Sequence, residues 1–157
     1  MSRALIRVAR GATGFWGHGD APLPQVDVVA FKTVCHAVAR SIRGTVAEVA
    51  LAGVTPNFHA ALITVPGIRS SVLCHEVLPV VAFAATPPQA GVPLTNFASP
   101  PAWADAFERG GFRLLDVDEL STPLATADTS ELAEAELEQV RCWRPSTVGE
   151  LMFNWWD

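Results

Sequence analysis

The fold of this 157-residue chain is decided by one apolar stretch, His59-Ala-Ala-Leu-Ile-Thr-Val-Pro-Gly-Ile-Arg-Ser-Ser-Val-Leu-Cys-His75. Both halves are rich in branched apolar residues, and runs of this kind form buried strands. Between them, Pro66-Gly67 is a pair typical of a tight turn. The stretch therefore predicts an antiparallel hairpin with strands at residues 59–65 and 71–75.

The sequences before and after this hairpin predict further strands and a helix that covers the sheet. Residues 46–51 and 80–84 have the composition of additional strands. Apolar residues recur every three or four positions across residues 28–42, which indicates one face of a helix, and Gly44 then ends the run. The apolar face consists of Val28, Phe31, Cys35, Val38 and Ile42.

The second half of the chain predicts short elements around a proline-rich loop. Residues 86–101 contain five prolines, which favours an extended internal loop. A short helix at 102–109 and a strand at 112–116 follow. Asp128, with Glu131 three residues later, matches the start of a helix that runs to about residue 141.

The last fourteen residues, 144–157, are apolar and aromatic, although chain ends are usually disordered unless they are docked. Thr147 and Glu150 fit a capping box for a final helix. That helix would place Val148, Leu151, Met152 and Trp155 on one side. We therefore expect the C-terminal helices to close the core of a single α+β domain, residues 1–157, whose mainly antiparallel sheet is packed by the amphipathic helix.

Composition limits the cellular setting and the class of ligand. Three cysteines are an odd number in a chain large enough to fold without disulfides, which favours reduced thiols and a cytoplasmic location. Arginine outnumbers lysine ten to one and alanine is abundant, a composition common in bacterial proteins. No apolar run approaches the roughly 20 residues of a membrane helix, so we expect no membrane association.

Charge is divided unevenly along the chain. Residues 1–104 hold seven basic and four acidic residues, a net charge of +3, and residues 105–157 hold four basic and twelve acidic residues, a net charge of −8. The two parts either attract each other or face partners of opposite charge. The total of −5 argues against nucleic acid as the main ligand, because phosphate binding needs a concentrated basic surface.

One glycine-rich segment, Gly11-Ala-Thr-Gly-Phe-Trp-Gly17, resembles the GxxGxxG loop of extended short-chain dehydrogenases. The resemblance implies a loop that binds a dinucleotide pyrophosphate at the start of a helix. Here Pro22 and Pro24 follow, and a helix cannot run through them. The chain also has no tyrosine for that family's catalytic pair. We therefore predict a surface loop and no cofactor.

Cysteine and histidine side chains are the candidates for chemistry. Cys74 and His75 are adjacent, with His59 expected on the paired strand, and a thiolate near an imidazole is the basis of cysteine nucleophiles and zinc sites. Neighbours on a strand point to opposite faces, so Cys74 and His75 do not form a pair with each other. No metal-ligand spacing is present, so we predict no metal and no catalytic residue.

Charged and aromatic residues are the candidates for partner binding. The helix at 28–42 carries a basic stripe beside its apolar face, and the helix before the tail carries an acidic face. Phe153 and Trp156 project away from the predicted apolar side of the last helix, so we expect one of them to be exposed. The predicted partner residues are Lys32, His36, Arg40, Arg43, Glu131, Glu134, Glu138, Phe153 and Trp156.

The sequence therefore favours a non-catalytic protein–protein interaction module, such as a small bacterial regulator, adaptor or toxin-neutralising protein. Its partner would be another protein or a second copy of the chain. The alternative is a small enzyme or ligand-binding domain that uses Cys74, His75 or His59 in a pocket under the proline-rich loop.

Overall fold

A six-stranded sheet forms the centre of the computed structural model, which describes residues 5–157. Its strands are β1 (Thr45–Ala50), β2 (Phe58–Val65), β3 (Ile68–His75), β4 (Val80–Ala84), β5 (Phe97–Ala98) and β6 (Arg113–Leu114). The first five follow one another across the sheet and are antiparallel, and β6 runs parallel to β4. The helices are α1 (Val28–Ser41), α2 (Asp105–Arg109), α3 (Val117–Leu120), α4 (Glu134–Trp143) and α5 (Val148–Met152).

The predicted hairpin is confirmed as β2 and β3. The strands pair in continuous register from Phe58↔His75 to Val65↔Ile68, with Pro66-Gly67 as the turn. Gly67 has a φ of +79°, a conformation that glycine adopts without steric cost. The hairpin lies in the middle of the sheet, so β1 forms one edge while the short strands β5 and β6 share the other side of β4.

Helix α1 confirms the periodicity prediction and covers one face of the sheet. The Asp27 carboxylate accepts the N–H of Ala30 at 3.0 Å and caps the first turn. Phe31 and Cys35 are buried against sheet residues that alternate along the strands, as period-two packing requires. The sheet residues of this first core are Ala61, Ile63, Val72, Cys74, Val81 and Phe83.

The C-terminal helices close the opposite face and form a second core. Thr147 accepts the N–H of Glu150 at 3.2 Å and caps α5, as predicted. The Glu150 carboxylate, however, accepts the N–H of Ser146 rather than that of Thr147. Phe153 follows α5 and is fully buried, where its ring lies 5.8 Å from Phe58 and 5.9 Å from Phe97, measured between centroids. These contacts confirm an α+β fold closed by C-terminal helices.

Two differences from the predictions concern the C-terminal half of the chain and the proline-rich loop. The helix expected from Asp128 begins instead at Glu134, because the Asp128 carboxylate accepts the N–H of Ser130 and pairs with Arg7 at 3.4 Å. Within residues 86–101 the chain is largely irregular, but it contributes β5 to the sheet. In the part of the chain that the structure describes, no helix has the length and apolarity needed to span a membrane.

Replacing Phe153 with alanine tests the closing contact. Phe153→Ala should lower the free energy of unfolding by about 3–5 kcal/mol, because it removes a fully buried aromatic ring and leaves a cavity. The measurement is urea denaturation followed by circular dichroism. Val54→Ala, at a side chain that is 89% exposed, is the control and should change stability by less than about 0.5 kcal/mol. Equal losses in the two variants would show that Phe153 does not belong to the cooperative core.

Candidate functional site

The cysteine and histidine candidates do not share one cavity. Cys74 and His59 are cross-strand partners and lie on the α1 face, whereas His75 packs against Phe153 on the other face. Burial raises the pKa of Cys74 to about 12, and the neighbouring Cys35 thiol adds to the rise, so Cys74 is protonated at neutral pH. Among residues 5–157 no three His, Cys, Asp or Glu side chains are grouped to hold a metal ion. Because Cys74 and His59 lie on one face of the sheet and His75 on the other, these three side chains do not line a common pocket.

His75 is instead a structural residue in a buried polar cluster. Its Nδ1 accepts the N–H groups of Val77 and Leu78 at 3.0 and 3.1 Å, so the proton lies on Nε2, which donates to the carbonyl of Ala12 at 2.8 Å. Burial lowers the pKa of His75 to about 4; the hydrogen bond to Ala12 opposes this shift, and the charge of His59 adds to it. The ring is therefore neutral at physiological pH.

Two asparagines complete this polar cluster. Asn57 donates to the carbonyl of Met152 at 2.9 Å, and its side-chain oxygen accepts the N–H of Asn154 at 2.9 Å. Asn154 in turn donates to the carbonyl of Thr13 at 3.1 Å. These bonds connect the start of β2, the C-terminal segment and the glycine-rich loop, three parts of the chain that are far apart in sequence.

The first three residues of the glycine-rich loop are buried, whereas Trp16 is exposed, so the prediction of a surface loop is wrong only for the start of the loop. Gly11, Ala12 and Thr13 are buried around the carboxylate of Glu136, the third residue of α4. Glu136 accepts the N–H of Gly11 at 2.9 Å, the N–H of Thr13 at 3.1 Å and the hydroxyl of Thr13 at 2.7 Å. It also reaches back to the N–H of Ala133 at 3.3 Å. The backbone donors that would hold a phosphate are therefore occupied by an anion of the chain itself.

The basic stripe flanks β1, an edge strand that pairs only with β2 among residues 5–157. Val34 faces α2, which lies over the β4 side, so helical periodicity places Lys32 and His36 on the opposite flank of α1, toward β1. Arg43 lies beyond the end of α1, in the turn that leads into β1. His36 and Arg43 are exposed and Lys32 is partly exposed. Burial lowers the pKa of His59, and the Lys32 charge adds to the shift, which places this lysine near β2. Arg40 is exposed on the outer side of the stripe.

An apolar groove lies beside the same edge on the other face of the sheet. Its volume is about 190 Å³. Strand residues Ala50, Ala60 and Leu62 form its floor, and Trp155 forms one wall. Pro87 and Pro88 of the proline-rich loop also line it. The groove agrees with the predicted pocket under this loop in position, but its lining is mainly apolar, with Glu48 and Ser71 as the polar members, and contains neither cysteine nor histidine.

The acidic residues do not form the single helical face that was predicted. Glu131 lies before α4 rather than on it, and Glu134 pairs with Arg141 at 2.7 Å. Glu138 is exposed. Partial neutralisation of Glu134 and the position of Glu131 leave no continuous acidic stripe on this helix.

The two aromatic candidates differ in position. Phe153 is fully buried, so the expectation that it contacts a partner is corrected. Trp156 is partly exposed and stacks on Trp143, with centroids 6.1 Å apart and ring planes 1° from parallel. Sequence reasoning missed Trp143 as a member of this pair because the partners lie on separate elements, thirteen positions apart.

Comparison of the chain with protein-family models, curated proteins and solved structures finds no match.

Neutralising the buried carboxylate tests its structural role. Glu136→Gln should lower the free energy of unfolding by about 2–4 kcal/mol, because an amide NH₂ would face the N–H donors that now bind the carboxylate. The matched control is Glu138→Gln, an exposed glutamate on the same helix, for which we expect a change below about 0.5 kcal/mol. Urea denaturation of both variants at pH 7 measures the difference. If the two variants unfold alike, the glycine-rich loop does not depend on Glu136.

Acid should destabilise the protein through His75. Between its folded pKa of about 4 and its ordinary value of 6.5, the unfolded chain binds a proton that the folded chain does not. The contribution of neutral His75 to the free energy of unfolding is therefore fully present above pH 6.5. It falls by up to about 1.4 kcal/mol per pH unit between pH 6.5 and the folded pKa of about 4. Urea denaturation at pH 7, 6 and 5 measures this slope.

The histidine variants separate this contribution from others. His75→Gln removes the titrating ring and should flatten the slope, although the variant is less stable at pH 7. His59→Gln is the comparison, since burial also lowers the pKa of His59, but this residue is less buried. An unchanged slope in His75→Gln would show that another group causes the acid sensitivity.

Proposed function

We propose that the protein is a non-catalytic binding module that adds an extended segment of a partner protein to the free edge of β1. An edge strand offers unpaired N–H and C=O groups, and β-strand addition is a common mode of peptide recognition. The observation that carries the proposal is the position of this edge between the basic flank of α1 and the apolar groove. A small cytoplasmic regulator, adaptor or toxin-neutralising protein would use such a surface.

The two sides of the edge define the chemistry of the partner segment. Side chains of an added strand alternate between the two faces of the sheet. One set would lie beside Lys32 and Arg43, where acidic residues are favoured, and the other would enter the groove beside Ala60 and Trp155, where apolar residues are favoured. We therefore propose a segment in which acidic and apolar residues alternate. The acidic total charge of the chain supports a protein partner rather than a nucleic acid.

A second copy of the chain is a poorer partner for this edge. Pairing two β1 strands would bring the basic stripes of both copies together, and like charges oppose association. It would also place two Glu48 carboxylates near one strand pair. These features favour a different protein over self-association.

Synthetic peptides test the proposal directly. A fluorescein-labelled peptide of four Glu-Val repeats should bind, and its Lys-Val counterpart should not, because only the first complements the basic stripe. Fluorescence anisotropy at two salt concentrations measures both, and affinity for the Glu-Val peptide should fall as salt screens the charges. Hydrogen exchange with bound peptide should slow at the amides of β1.

Charge reversal provides the matched control. Lys32→Glu combined with Arg43→Glu should weaken binding of the Glu-Val peptide about tenfold. Arg109→Glu changes an exposed arginine on α2, away from β1, and should leave binding unchanged. Equal binding of the two peptides, or unchanged exchange in β1, would contradict the proposal. Concentration-dependent dimerisation through β1 would assign the edge to self-association instead.

A further inference from the structure

A second cavity lies at the aromatic tail, separated from the groove by Trp155. Its volume is about 190 Å³. Three indole rings line it, those of Trp143, Trp155 and Trp156, together with the side chain of Glu150. Trp143 is 46% exposed, although such large aromatic side chains are usually buried. The cavity therefore combines accessible aromatic surface with one carboxylate.

The carboxylate in this cavity is not neutralised by the described part of the chain. One oxygen of Glu150 accepts the N–H of Ser146 at 2.8 Å, and no salt bridge among residues 5–157 involves Glu150. Glu150 is the only charged residue among the described residues that line the cavity, so the lining favours a cation over an anion. Glu150 is partly buried, which reduces the screening of its charge by solvent.

We propose that this cavity binds a quaternary trimethylammonium group. Such a cation cannot donate hydrogen bonds, so its recognition depends on attraction to aromatic faces and to a nearby negative charge. Trp155, the ring faces that the Trp143–Trp156 stack leaves uncovered, and Glu150 supply both. A trimethylated lysine side chain of a protein and a free choline-type molecule share this chemistry. The site is separate from the β1 edge and does not depend on the proposed peptide binding.

The lining of the cavity distinguishes this ligand from a proline-rich peptide. Aromatic grooves also bind polyproline segments. Here the chain contributes its own prolines to the cavity, Pro93 from the proline-rich loop and Pro145 from the turn before α5. Pro93 and Pro145 therefore already occupy part of the cavity that the prolines of a bound peptide would fill. Proline is uncharged, so Glu150 would have no role in binding such a peptide.

A pair of ligands that differ only in charge tests the proposal. Choline and its uncharged isostere 3,3-dimethyl-1-butanol have the same shape, so we expect choline to bind at least about tenfold more tightly. Isothermal titration calorimetry gives both affinities. The indole N–H signals in two-dimensional NMR show which of the five tryptophans respond, and those of Trp143 and Trp156 should shift. Equal affinity for the two ligands would overturn the proposal.

Two variants locate the site. Trp143→Leu should abolish choline binding, while Trp16→Leu, at a tryptophan that is also 46% exposed, should not affect it. Glu150→Gln keeps an acceptor for Ser146 and should weaken choline binding about fivefold, whereas Glu138→Gln should not. Thermal melting of each variant verifies that it is folded. Undiminished binding in both Trp143→Leu and Glu150→Gln would place the ligand elsewhere and contradict the assignment.

Peptides distinguish the two sources of the ammonium group. A short peptide with one trimethyllysine is compared with the same peptide carrying unmodified lysine, and with choline. Tighter binding of the trimethyllysine peptide than of choline assigns the site to a modified protein, and the reverse assigns it to a free metabolite. If neither binds, or if a proline-rich peptide binds while both fail, the proposal is wrong.

Discussion

The buried carboxylate of Glu136 is the interaction on which the rest of the structure depends. An unpaired anion in a protein interior is costly, and here four donors from two segments offset that cost. Because the N–H groups of Gly11 and Thr13 turn toward Glu136, the carbonyls of Ala12 and Thr13 are free to face the sheet and the tail. Those carbonyls accept hydrogen bonds from His75 and Asn154. The N–H groups of the loop thus bind α4, and its carbonyl groups bind the sheet and the C-terminal tail.

The same helix fixes the aromatic tail at its other end. Glu136 lies in the first turn of α4, and Trp143 is its last residue, where it stacks on Trp156. The tail is therefore held by Asn154 at the polar cluster and by Trp156 at the indole stack. Trp155 lies between Asn154 and Trp156 and lines both the groove and the aromatic cavity. Both candidate surfaces therefore depend on how the tail is held.

The sheet and α1 were predictable because their signals are local. Period-two and period-3.6 patterns arise within a few residues, and the turn at Pro66-Gly67 carries its own signature. Glu136 was not predictable, since its loop partners lie 123 to 125 residues away and it has the same local context as the exposed glutamates of its helix. Asp128 and Glu131 have the spacing of a helix start, but the Asp128 carboxylate accepts the N–H of Ser130 and pairs with Arg7 instead. The candidate surfaces form through tertiary contacts, so the sequence predicted only some of their residues.

The structure shows where the basic stripe and the acidic helix α4 lie relative to each other. Helix α1, with its basic stripe, covers one face of the sheet, while α4 packs on the other. Packed layers lie about 10 Å apart, so the two helices are separated by about 20 Å, well beyond the roughly 8 Å over which physiological salt screens charge. Attraction between the basic stripe of α1 and the acidic residues of α4 therefore contributes little to folding. Elsewhere the two parts of the chain do meet, since Arg7 pairs with Asp128 at 3.4 Å and α2 packs beside α1. In the two proposals above, the basic flank would face an acidic segment and Glu150 would face a cation.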